Sequence, residues 1–417
     1  MTALATVAGA CVGTNDAGQN VQSSVPREPG RPALVEPAAR HVNGFAIELY
    51  GQVAPGVGNV MLAPWPIQRA LAMARVGATD DTLSQFDQAL RAQPPEAFDL
   101  EMNSLDQQVA ARSGERRSEL RSGRVDFRSA SALWAQRGTT FVPTFLDTLA
   151  RYYGAGVRVA DFRSDAEASR RILNTWVGQQ TDGRIPDLLS RGSITQYTRL
   201  VATTAFELQA PWLVPFDAEQ TRPAPFHGLD GSVSDAPSLG LQAPFASGIR
   251  YGTSDAYEAV ELPYLGEELS MVLIAPTQGT FTNFERNLSA EVLDDVVADL
   301  RSTAVDLRVP QFGFTTALNL NNSLSALGLT SAFDAAAADF SGITTDEPLS
   351  ISDVAYQGFV SIDAEGSQAA AATVRKGDEP TVADARRVTI DRPFIFAVRD
   401  RSTGLLYELG RVVEAPR

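Results

Sequence analysis

Two histidines, His41 and His227, and one cysteine, Cys11, are all the imidazole and thiol in this 417-residue chain. A zinc site needs a cluster of such side chains, and a Cys-His catalytic pair needs both types within reach of each other. The inventory points to no metal and no cofactor. A Ser-His-Asp hydrolase would have to enlist one of the two histidines. His41 stands at the mouth of a first amphipathic helix and His227 lies in the loop APFHGLDGS, neither near a G-x-S-x-G elbow, so both read as solvated surface residues. There is no G-x-x-x-x-G-K-[ST] phosphate loop. The charges are lopsided, with 35 Lys+Arg against 50 Asp+Glu, a net charge of -15, and Lys376 the single lysine. Neutralising phosphates takes a basic surface, so nucleic acid is not an expected partner. One basic cluster exists, Arg112, Arg116, Arg117, Arg121 and Arg124; Glu115 and Glu119 interleave with it, and it reads as an exposed, ion-paired helix face.

Residues 1–40 differ from the rest. MTALATVAGAC is small and apolar, and Val12 to Arg40 is rich in Gly, Pro, Ser, Asn and Gln without helical or strand period. This predicts a leader and tether over 1–40 and a folded domain over 41–417. Ala8-Gly9-Ala10-Cys11 resembles a bacterial lipobox, which makes Cys11 a lipidation candidate and an extracellular or cell-envelope location the expectation. The alternative is an unremarkable disordered leader. No later stretch reaches the ~18 uninterrupted apolar residues of a membrane span.

Helices and strands then alternate. Val42, Phe45, Ala46, Leu49 and Tyr50 fall on one helical face. A second helix is expected from about Pro66 to Val76 and a third through Leu83, Phe86 and Leu90. Val305, Leu307 and Val309 alternate with charges as in a half-buried strand, whereas Met271 to Ala275 and Phe394 to Val398 are apolar runs suited to burial on both faces. The class is α+β with several sheets; length alone would suggest two or three domains. Between the strands ending near Asp363 and beginning near Arg387 lies GSQAAAATVRKGDEPTVADAR, which has neither period. A loop of that length inside a domain is functional or disordered. Taken as a strand, it carries Ser367, Ala369, Ala371 and Thr373 on one face and Gln368, Ala370, Ala372 and Val374 on the other. The first face is small and uncharged, so it could enter a sheet without burying a charge; Arg375, continuing that face, would be costly there.

The run EGSQAAAATV, Glu365 to Val374, resembles the hinge of the reactive-centre loop of inhibitory serpins. Other matches keep that family's order: NGFAIELY (Asn43 to Tyr50), NTWVGQQTDGRIPDLL (Asn174 to Leu189), TRLVATTAFELQAPW…PF (Thr198 to Phe216) and ELPYLGEELSMVLIAP (Glu261 to Pro276). ADFSGI (Ala338 to Ile343) and VTIDRPFIFAVRDRSTGLLYELGRVVEAP (Val388 to Pro416) complete the set. The resemblance spans roughly residues 41 to 415. It implies one α+β domain of three sheets with eight or nine helices and an exposed reactive-centre loop, in place of the two or three domains suggested by length. It further implies a monomeric bacterial suicide-substrate inhibitor, not an enzyme, that forms a covalent complex with a serine protease or a cysteine protease. The cleaved loop then inserts into the central sheet.

The resemblance makes Glu365, Gly366, Ser367, Gln368, Ala369, Ala370, Ala371, Ala372 and Thr373 the hinge. Counting forward from Gly366 by the family's loop length places the scissile bond after Pro380, and counting back from Pro393 places it after Val382. A bond after Val382 or Thr381, facing Ala383 or Val382, is favoured and suits an elastase-like or subtilisin-like protease. A trypsin-like target would need Arg386 or Arg387. Where the sheet opens, the family's serine turn is Ala63-Pro64-Trp65-Pro66-Ile67 here, and its asparagine and histidine are Thr204 and Tyr356. That exchange predicts a more apolar sheet-opening cluster. Trp212 matches at the point of loop entry. A non-inhibitory serpin acting as a binding or structural surface protein is the alternative.

Overall fold

The computed structural model describes residues 18–56, 58–119, 121–367, 373–374 (backbone) and 385–415. Among these residues there are nine α-helices and three β-sheets. None of the helices is long and apolar enough to cross a membrane.

The expected face of the first helix is buried, with Val42, Phe45, Leu49 and Tyr50 at most 1% exposed. The helix begins earlier than the pattern indicated, as α1 (Val35–Val53). This corrects the leader boundary, because residues 18–40 are built into the domain. Strand β1 (Gln19–Val21) pairs antiparallel with β5 (Val157–Ala160). The Glu28 N–H donates to the Arg151 carbonyl at 2.8 Å, and Arg27 reaches Asn103 at 2.9 Å and pairs with Asp106. The segment docks through backbone and polar groups, so it carries no apolar period.

The large sheet runs β1-β5-β4-β6-β15-β14, where β4 is Arg121–Gln136, β6 Leu200–Pro211, β14 Phe312–Asn319 and β15 Ile351–Ile362. At its centre β6 and β15 form a parallel seam, registered from Leu200↔Ile351 to Glu207↔Phe359. Strand β6 is buried on both faces: Phe206 and Leu208 belong to the main core, and Val201 and Ala205 pack with the helix carrying Trp176. That explains its unbroken apolar character.

Behind the large sheet lies a second one, containing β2 (Val60–Leu62), β10 (Tyr257–Pro263), β11 (Leu269–Pro276), β19 (Phe394–Asp400) and β20 (Leu406–Val412). The two apolar runs pair with each other here, with Met271 opposite Val398 and Leu273 opposite Phe396. The third sheet holds β13 (Val305–Pro310), whose Val305, Leu307 and Val309 are buried as the alternation predicts, and β18 (Arg386–Thr389) beside it.

The arginine cluster is not a helix face. Strand β3 (Gly114–Arg117) turns into β4 as a hairpin with Arg117 opposite Ser122. Its arginines reach distant acids: Arg112 bonds Asp400 at 2.6 Å and Arg116 bonds Glu268 at 2.5 Å.

Candidate functional site

The hinge begins in a turn that Asp363 fixes. Its carboxylate accepts from the N–H groups of Glu365 (2.8 Å) and Gly366 (3.1 Å), and its own N–H donates to the Gly366 carbonyl at 3.0 Å. An Asx turn of this kind reverses the chain. The reversal lays strand β16 (Gly366–Ser367) antiparallel on the end of β6 that lies beyond the seam, with Gly366 opposite Pro211 and Ser367 opposite Ala210. A Cβ at Gly366 would stand 2.2 Å from the Ala210 carbonyl oxygen and 2.7 Å from the Pro211 Cα. Only glycine fits.

Ser367 is 3% exposed, and its hydroxyl lies 2.6 Å from the Tyr264 hydroxyl. The Tyr264 ring stacks on Trp212 with centroids 4.5 Å apart and 9° between planes. Trp212 donates through its indole to the Asp363 carbonyl at 3.1 Å and through its backbone to the Glu365 carbonyl at 2.9 Å. Burial pushes the Tyr264 phenol well above its ordinary range, so it stays a neutral partner for the serine. The expected inward position of Ser367 and the expected entry point at Trp212 therefore meet. Gly366 and Ser367 of the hinge are already paired with β6.

Thr373 lies on the backbone of β17 (Thr373–Val374), which pairs with β4 through Thr373↔Ser122 and Val374↔Arg121. The remaining hinge positions Gln368, Ala369, Ala370, Ala371 and Ala372 lie outside the described residues. So do the scissile-bond candidates Pro380, Thr381, Val382 and Ala383, the loop cations Arg375 and Lys376, and Cys11.

Arg121 was grouped by sequence with a surface cluster. Instead it is 4% exposed and sits beside the hinge, donating to the Trp212 carbonyl at 2.8 Å and to the Glu365 carboxylate at 3.0 Å. Burial lowers the guanidinium below its ordinary pKa and Glu365 opposes that shift. No local pattern distinguishes it from its arginine neighbours; its partners lie far along the chain.

Further down the seam, Thr204 and Tyr356 are register partners, both 0% exposed. Pro64 starts α2 (Pro64–Arg75) immediately behind them, two residues earlier than the pattern indicated. The cluster keeps its polar function through backbone contacts. The Tyr356 hydroxyl accepts from Ala63 N–H at 2.9 Å and donates to the Met61 carbonyl at 3.2 Å, and Thr204 donates to the Ala355 carbonyl at 3.0 Å. Replacing Tyr356 by Phe strands the Ala63 N–H in the core and is expected to cost about 1–3 kcal/mol of stability. A urea unfolding curve with an unchanged slope and a lower midpoint would register it.

His41 is also displaced from its expected setting. It lies in the second turn of α1 with Nδ1 3.0 Å from Oε2 of the buried Glu101, its side chain 21% exposed. It is packed against the buried Glu101 and is not a solvated surface residue. His227 is exposed at the end of the strand Asp217–His227, and nothing brings the two histidines together.

The three-sheet fold that carries this site is shared with known proteins. The family model described as serpin (serine protease inhibitor) matches residues 40–415. An uncharacterised serpin-like protein of Thermococcus kodakarensis is 33% identical over 91% of this chain and 86% of its own length. Leukocyte elastase inhibitor A of Mus musculus is 30% identical over 88% of this chain and 97% of its own. Among solved structures, the thermophilic serpin tengpin in its native state superposes with a TM-score of 0.82 at 23% identity, covering 95% of this chain and 99% of tengpin. Uncleaved ovalbumin superposes with a TM-score of 0.78 at 22% identity, covering 90% and 99%. The family model spans residues 40–415 and the relatives match nearly the whole length, and the chain belongs to the serpin family.

Proposed function

We propose that this serpin inhibits a serine protease as a suicide substrate. The observation that carries the proposal is the pairing of Gly366 and Ser367 with the end of β6, which lays the start of the loop on a strand that borders the seam. The protease's serine Oγ attacks the carbonyl of Val382 or Thr381, an ester forms, the amide bond that follows breaks and the amine leaves with a proton. The freed hinge then continues along β6, adding backbone hydrogen bonds on both sides, and carries the esterified protease with it. A thiol protease would form the thioester by the same attack. Trapping requires insertion to outrun hydrolysis of the ester.

The position of β18 favours a bond upstream of Arg386. Arg386 and Arg387 are paired in parallel with Val305 and Asp306, and a bond within a paired strand does not fit a protease cleft. An elastase-like or subtilisin-like enzyme is therefore the proposed target, and lipidated Cys11 is the proposed tether to a cell envelope. The protein acts as a monomer.

Incubation with elastase, subtilisin, chymotrypsin and trypsin, followed by a denaturing gel and mass analysis of the released C-terminal peptide, tests both class and bond. A covalent band and a peptide beginning at Ala383 or Val382 are expected. Cleavage by the panel with neither a covalent band nor a rise in thermal stability identifies a non-inhibitory serpin.

A further inference from the structure

Glu408 occupies the middle of β20, opposite Val398 of β19, in the otherwise apolar run LLYELG. It is 1% exposed, and its Oε2 is buried without a hydrogen-bond partner. Its surroundings follow from register. Strand β2 pairs with β20 so that Leu62 faces Leu409, and Ala63 and Glu408 are the chain neighbours of that pair. The Ala63 N–H is bonded by the Tyr356 hydroxyl of the seam. Tyr264, which holds Ser367, and Glu207, the last residue of β6 registered with β15, act electrostatically on the same carboxyl or feel its charge.

The other charged groups on the packed elements are engaged elsewhere. On α2, Arg69 donates to the Tyr153 carbonyl at 2.7 Å and lies 3.4 Å from Asp106. Arg411 of β20 pairs with Glu285 at 2.7 Å, and Tyr50 of α1 donates to that same carboxylate at 2.6 Å. Met61 of β2 and Val398 of β19 bring no charge, while Arg399 and Asp400 of β19 pair with Glu261 at 3.3 Å and with Arg112 at 2.6 Å. Burial first, and the negative Glu207 second, push the Glu408 carboxyl up to about 8.

We propose that Glu408 is a proton-controlled catch on the β6–β15 seam. Protonated, it packs as part of the core that holds the strands together. On losing its proton it becomes an uncompensated buried anion, draws water in behind the seam and lets the strands part. This rests on the reading of the seam as the loop's entry point.

The sign follows from the two states. A solvated glutamate titrates at about 4.3, and the closed form raises Glu408 to about 8. The closed form therefore binds the proton more tightly. Its advantage is complete below about 4.3, falls as pH rises and is lost above about 8.

The test is hydrogen exchange of the seam amides in the full chain, corrected for intrinsic rates, between pH 5.5 and 9. Opening of Thr204–Ala210 and Ala355–Ile362 is expected to rise at least tenfold from pH 5.5 to 7.5 and to level off above 8. In Glu408→Gln and in Glu408→Leu the profile is expected to be flat. Glu207→Gln, which leaves Glu408 in place, should move the rise to lower pH. A flat wild-type profile, or an unchanged rise in the Glu408 variants, overturns the proposal. Thermal stability of loop-cleaved wild type is read in parallel. If it never rises at any pH the inhibitory reading fails, while seam exchange still decides the role of Glu408.

Discussion

A chain carrying Ser367→Arg is expected to be cut by the protease that the unaltered chain traps, leaving no covalent complex on a denaturing gel. Ser367 is 3% exposed, faces Ala210 across β16 and β6, and shares a 2.6 Å contact with the Tyr264 hydroxyl. Seating a guanidinium there places an unpaired charge against the stacked Trp212 and Tyr264 rings, at a cost of several kcal/mol. Because each 1.36 kcal/mol slows a step about tenfold, insertion falls behind hydrolysis of the acyl-enzyme by roughly two orders of magnitude or more. The number of inhibitor molecules consumed per protease should rise from near one to more than about ten. Ser367→Thr keeps the hydroxyl and the charge state and is expected to retain the complex. A full-strength complex with Ser367→Arg would show that the loop does not enter along β6 through this position.

What the sequence made legible was whatever rests on one-sided burial or on order along the chain. The α1 face, the alternation in β13 and the burial of the two apolar runs all follow from which side chains leave water. The place where the loop leaves the sheet, at Gly366 and Ser367, was legible because these residues stand in family order between recognisable strands. Contacts that close through the backbone were not. Residues 18–34 dock by polar groups, so their Gly, Pro, Ser and Asn content looked like a tether. Thr204 and Tyr356 looked like the loss of a polar cluster because their partners are the Ala355, Met61 and Ala63 main chain, which leaves no mark on residue type. The arginines at 112, 116, 117, 121 and 124 fit helical spacing as well as they fit a hairpin, and only the distant acids Asp400, Glu268 and Glu365 decide between the two. Glu101 fixes His41 in the same long-range manner.

Arg121→Ala is expected to lower the stability of the native chain by about 2–4 kcal/mol, because it leaves the Trp212 carbonyl without its charged donor beside the hinge. The ion pair is the smaller part. Glu365 keeps 44% of its side chain exposed, so it returns to water when its partner is removed, and Glu365→Gln should cost less than about 1 kcal/mol. Arg121→Lys should fall between, since an ammonium cannot reproduce a planar donor that serves two acceptors at 2.8 and 3.0 Å. Denaturant unfolding of the three variants orders these contributions, and a Glu365→Gln loss equal to that of Arg121→Ala would place the energy in the ion pair. The same substitution also bears on function. The backbone of Arg121 pairs with Val374 while its side chain holds Glu365, so one residue grips the loop on both sides of the inserted hinge. Releasing the Glu365 side frees the Asp363–Glu365 turn, and the uncleaved loop of Arg121→Ala should advance into the β6–β15 seam several-fold faster than in wild type. The growth of a species that resists heat and no longer traps protease measures that rate. Growth at the wild-type rate would mean that the turn is held by Asp363 and Trp212 alone.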